Sequence, residues 1–148
     1  MTYHNWFGKQ YIILLDHGIH FMNYHPILFY NKLIEIKEAA SEYKRHSPDS
    51  LIVFKTSHYI RGNFKALPSV TSGLVGLWQR ELIFKVFGSP YAHDLKDDRK
   101  HPVKVWDVFS PSFVAFDRLE TGKVFPSEEM LKESTHMLFN LMRHVGYH

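Results

Sequence analysis

The chain has 148 residues, enough for one ordinary domain and short for two. Apolar residues at 45% and aromatics at 16% exclude a disordered chain, because so much surface to bury offsets the entropy of ordering. The net charge of +3 is small and scattered, so it makes no case for nucleic acid, and the lack of cysteine excludes disulfides, zinc–thiolate centres and a thiol nucleophile.

In chain order, the opening Met-Thr-Tyr-His-Asn-Trp-Phe-Gly-Lys is not a basic stretch followed by an apolar one, so it does not read as a signal peptide. No window approaches the roughly eighteen apolar residues of a membrane span. The compartment is left open. Tyr11 to Leu15 is a continuous apolar run and predicts a buried strand. Pro26 to His46 predicts a helix, with Pro26 in its first turn and Ile27, Phe29, Tyr30, Leu33, Ile34, Ala40 and Tyr43 as its apolar positions. Pro48-Asp49-Ser50 is a turn before a second strand, Leu51 to Phe54, running on to Thr56. Val70 to Phe87 predicts a second helix, closed by Gly88. Val103 to Phe109 predicts a third strand. The last helix carries one apolar stripe from Met130 to Val145, with Ser127 as N-cap and Glu128 and Glu129 at the positive end of its dipole.

The alternation β-α-β-α-β-α predicts an α/β fold with a parallel sheet flanked by helices. Three strands leave two bare edges, so a protein partner or a missing half of the domain is expected at the sheet edge. Strand order does not follow from the sequence. If the half-sheet stands alone, the edge of the first or the second strand is expected to be unpaired.

In open α/β sheets ligands bind beyond the carboxyl ends of the strands. Those ends are polar here: Asp16, His17, Gly18 and His20; then Thr56, Ser57, His58, Arg61 and Asn63; then Asp107, Ser110 and Ser112. Together they suit a polar or anionic ligand, although each alone reads more simply as a solvated loop residue or a cap. His17 and His20, with His58 or Asp107, have the residue types of a metal site, a minor alternative; no H-E-x-x-H stands on a helix. No serine lies in G-x-S-x-G and no G-D-S is present. Asp98 and His101 have D-x-x-H spacing inside a charged loop, where solvated surface is the stronger reading. Neither G-x-G-x-x-G nor a Walker motif occurs, so no cofactor is implied.

Asp16-His17-Gly18-Ile19-His20-Phe21 after a buried strand, Leu51-Ile-Val-Phe-Lys-Thr-Ser-His-Tyr after a Ser-Pro-Asp turn, and Trp106-Asp107 in a late strand resemble the C-terminal domain of the NXPE family, related to the PC-esterase branch of SGNH hydrolases. The resemblance covers most of the chain but only the second half of that domain. It implies a three-layer α/β/α fold with a small, mainly parallel sheet, residues 1–148 forming one partial SGNH-like domain. It also implies acyl transfer on carbohydrates, hence a glycan ligand, and the secretory route. SGNH enzymes use a G-D-S serine, an oxyanion-hole donor and a D-x-x-H pair. The serine strand is absent here. Gly18 and His20 match the G-x-H-F element, and Asp16 stands where some relatives place an oxyanion-hole Asn. An ionised carboxylate there repels a developing oxyanion. The acid and base fall on Thr121 and Val124, or in another placement on Gly122 and Phe125, none of which moves protons. The expectation is a non-catalytic pseudoenzyme or remnant that binds a partner. The alternatives are an O-acyl esterase or O-acyltransferase completed by residues outside this chain, and a histidine metal module.

Overall fold

The protein is described by a computed structural model over residues 10–16, 25–57, 73–114 and 127–147. Three parallel strands are β1 (Ile12–Asp16), β2 (Leu51–Lys55) and β3 (Lys104–Trp106), in the order β1-β2-β3. Ile12 faces Leu51 across the first ladder and Val53 faces Lys104 across the second. The four helices are α1 (Pro26–His46), α2 (Gly73–Phe87), α3 (Phe109–Val114) and α4 (Glu128–Val145). Because β2 is central, the free edges among the described strands belong to β1 and β3. Of the two strands expected to offer an unpaired edge, the first does and the second does not.

Alternation along β2 divides the core into two layers. Ile52 and Phe54 join Phe29, Leu33 and Ala40 of α1 and Ile83, Val86 and Phe87 of α2. Leu51 and Val53 point the other way, with Trp106 and Val108, against Met137, Leu138, Leu141 and Met142 of α4. The small α/β fold is therefore a sheet between helices on both faces. Phe29 meets Trp78 edge-to-face at 5.8 Å, which ties α1 to α2. β2 is buried on both faces, as a central parallel strand must be. At the β1 edge Ile12 and Leu14 remain 49% and 47% exposed.

Local signals explain the element ends. Pro26 opens α1, and His25 Nδ1 accepts from Ile27 N at 3.3 Å. Gly88, at φ +95°, ends α2 by donating to Phe84 O. A side chain at Gly88 would meet the His101 imidazole. Ser127 caps α4 by accepting from Met130 N, and Gly146 closes it in the left-handed region.

Two elements differ from the sequence reading. The third strand stops at Trp106, short of the expected Phe109, which instead opens α3. The charged loop before β3 is also more than solvated surface. Asp98 bridges Lys44 Nζ at 2.6 Å and Lys104 Nζ at 2.7 Å. Lys104, almost wholly buried, also donates to the carbonyls of Leu95 and His101. His101 lies between Phe87 O and Asp94 Oδ1, each at 3.0 Å. A buried ammonium with three acceptors staples the loop to the sheet, because an unmet donor there would be costly.

Candidate functional site

β2 and β3 end side by side, so the parallel register brings Thr56 and Asp107 together. Thr56 N donates to Trp106 O at 3.0 Å, extending the ladder past the strand. Thr56 Oγ1 accepts from Val108 N at 2.9 Å and Phe109 N at 3.0 Å, and donates to Asp107 Oδ1 at 3.3 Å.

Asp107 is 2% exposed. Besides the Thr56 hydroxyl, Oδ1 accepts from the backbone N–H groups of Phe109 and Ser110 at 3.2 and 3.3 Å. This is N-cap chemistry, and it starts α3. Oδ2 accepts from Ser110 Oγ at 2.6 Å, Arg80 Nε at 3.0 Å and, in a long bond, Tyr91 Oη at 3.5 Å. Arg80 comes from α2, where its guanidinium also bonds Glu81 and lies 4.1 Å from the Phe84 ring centroid. Burial and the Asp107 charge raise the Tyr91 pKa above that of an ordinary phenol, with Arg80 opposing. Its hydroxyl therefore stays a donor. Ser57 Oγ bonds Gln79 Oε1 at 3.5 Å, and the buried Gln79 Nε2 has no hydrogen-bond partner among the described residues.

A carboxylate has about four lone-pair sites, and six donors surround this one. Its charge is matched by Arg80. Ser110 Oγ donates a hydrogen bond to Asp107 Oδ2, and among the described residues no imidazole is hydrogen-bonded to either group. The carboxylate holds the first turn of α3.

Residues 5–142 match the family model described as NXPE family member 4-like, C-terminal domain. The chain belongs to that family. No curated protein and no solved structure matches it.

Of the site residues read from the sequence of this NXPE C-terminal domain, Thr56 and Asp107 are brought together. Asp16 is not joined to them: it ends β1, opposite Lys55 in register, and its carboxylate takes a 2.6 Å ion pair from Lys55 Nζ. His17, Gly18, His20, His58, Arg61, Thr121 and Val124 lie outside the described residues, so the oxyanion segment, the degenerate acid–base positions and the histidine metal set do too. Among the described residues no group of three metal-ligating side chains occurs, and no helix is long and apolar enough to cross a membrane. Sequence reasoning missed Arg80 and Tyr91. Arg80 sits in a helix read only for its apolar positions, and Tyr91 in a turn with no motif. Asp107 two residues before Phe109, with Pro111 in the first turn after it, is the signal that could have found α3.

Proposed function

We propose that this NXPE C-terminal domain is a non-catalytic, SGNH-like binding module, residues 1–148 forming one partial domain that takes a polar ligand, such as a glycan, or a protein partner. The observation that supports it is the Asp107 carboxylate: both oxygens are engaged by backbone amides, hydroxyls and Arg80, and none is free to orient a base. Losing the nucleophile or base of such a site costs many powers of ten in rate. The test is hydrolysis of aryl acetates by the purified chain. The expected result is no turnover above buffer. Turnover that survives dialysis against chelator overturns the reading.

A second reading is a carbohydrate O-acyl esterase or O-acyltransferase completed by residues outside this chain. The half-exposed Ile12 and Leu14 at the β1 edge favour it, since a further strand and helix there would extend both sheet and core. Under this reading His20 and His58 are working residues. Alanine at both positions, with any measured turnover unchanged, eliminates it.

A further inference from the structure

The loop from α2 to β3 is fastened by a histidine outside the candidate site. The His101 ring packs against Gly88, where a Cβ would run into it, and its side chain is 13% exposed. Nδ1 lies 3.0 Å from Phe87 O, and Nε2 lies 3.0 Å from Asp94 Oδ1. Both partners only accept. A carbonyl has no proton to give, and the Asp94 carboxyl, held at about 2 by bonds from Lys100 and His101, is ionised near neutrality. A neutral imidazole carries one N–H and one bare lone pair, so it satisfies only one of these acceptors. The imidazolium donates to both. It also stands at the carboxyl end of α2, where positive charge is favoured.

The surrounding groups are accounted for. From α2 come the Phe87 carbonyl and Gly88, neither of which titrates. From β3, Lys104 Nζ donates to His101 O at 2.8 Å and pairs with Asp98 at 2.7 Å. Within the loop, Asp97 O accepts from His101 N at 2.9 Å, and Lys100 Nζ holds the second Asp94 oxygen at 2.8 Å. From α1, Lys37 Nζ donates to Val86 O at 2.7 Å, one residue before Phe87. We infer that His101 is a pH-sensitive latch on this loop: as imidazolium it ties Asp94 to the end of α2, and as neutral imidazole it keeps Phe87 O and releases Asp94. The carbonyl bond is the more sheltered of the two, so the remaining proton stays on Nδ1. The bare Nε2 then faces an anionic oxygen, and Asp94 turns to water. The charged ring is the form the fold favours, so its contribution is present in acid and lost as pH rises. The inference stands apart from the binding-module reading, although the same loop brings Tyr91 to Asp107.

Hydrogen exchange of the full ¹⁵N-labelled chain at about pH 5 and about pH 8, which bracket ordinary histidine titration, reads the latch. The amides of Leu95 and Asp97, bonded to Ala92 O and Asp94 O, are followed after correction for intrinsic rates. They are expected to lose protection roughly fivefold at the higher pH, as for one exposed, charge-assisted hydrogen bond, while Thr56 N in the sheet is unchanged. Ring ¹⁵N shifts of His101 are expected to show two N–H groups at the lower pH and a bare Nε2 at the higher. His101→Phe keeps a ring against Gly88 and leaves Lys104 in place, so its loop is expected to be weakly protected at both pH values. Circular dichroism checks that this variant is folded; if it is not, the parent's ring spectra and exchange decide. Unchanged loop protection in the parent, an equal loss at Thr56 N, a ring neutral at the lower pH or doubly protonated at the higher, or a folded His101→Phe that keeps the parent's pH dependence overturns the inference. The last result would assign the dependence to Lys104.

Discussion

One hydroxyl joins two strand ends. Thr56 Oγ1 is the acceptor for two buried backbone amides, Val108 N and Phe109 N. Thr56→Val keeps the shape and removes the oxygen. Val108 N then loses its bond, at about 1–3 kcal/mol, and Phe109 N keeps only its longer bond to Asp107 Oδ1. We expect a loss of about 3 kcal/mol by urea denaturation, whereas Thr56→Ser, which keeps the oxygen, costs about 1 kcal/mol or less. Equal losses in the two variants would mean the methyl group matters and the hydroxyl does not. Charge at the other end of the sheet sets an acid limit. Hydrogen bonds from Lys100 and His101 hold the Asp94 carboxyl at about 2, below its ordinary 3.8. A carboxyl lowered in the folded state stabilises it above the unfolded pKa, and that contribution fades as pH falls through the folded value. Burial raises Asp98, but its bonds from Lys104 and Lys44 outweigh this and keep it low as well. Stability should therefore fall from about pH 4 towards about pH 2. Asp94→Asn should flatten that limb in a series of urea midpoints against pH, with a smaller effect in high salt because Asp94 is exposed. Thr56 and Asp107 were legible because parallel strands place their carboxyl ends together. Arg80 and Tyr91 were not, since they reach Asp107 from 27 and 16 residues away with no periodic signal.

At the scale of elements, α1, β2 and α4 follow from periodicity, from Pro26 and from the Ser127 cap, all of which act within a few residues. The helix α3 was hidden because Val108 and Phe109 carry strand-like side chains, and a buried carboxylate at Asp107 overrides that preference. The junction of α2 with α3 gives a sharp test. A methyl group on Gly76 would run into the Phe109 ring, which is itself buried and stacked on Phe113. Gly76→Ala should gain about 1 kcal/mol in helix propensity and lose more to overpacking, typically about 1–3 kcal/mol. The expected net effect is destabilisation of about 1 kcal/mol, read from thermal melts. Adding Phe109→Leu should make room and reduce the penalty of the alanine, so the double-mutant cycle should show coupling. A stabilised Gly76→Ala would mean that α3 yields freely.

For the whole molecule, the two faces of the sheet are unequally covered. Two helices pack on one face, and on the other α4 lies against β2 and β3, while Ile12 and Leu14 of β1 stay half-exposed. An edge strand with an apolar outer face invites pairing. We expect the purified chain to self-associate with rising concentration in sedimentation velocity, and Leu14→Lys to shift it towards monomer. A monomer at every concentration would contradict this. Layering and parallel strands could be read from the sequence, because they follow from the alternation of strand and helix patterns. Strand order could not, because each strand carries the same apolar signature, and only the packed sheet distinguishes centre from edge. The central place of β2 also bears on synthesis. Its partners lie far along the chain, 39 residues back from Lys55 to Asp16 and 51 on from Thr56 to Asp107. No hairpin joins the three described strands, so β1 meets β2 only once β2 has left the ribosome, and β2 waits longer still for β3. Refolding should be correspondingly slow for a chain of this size.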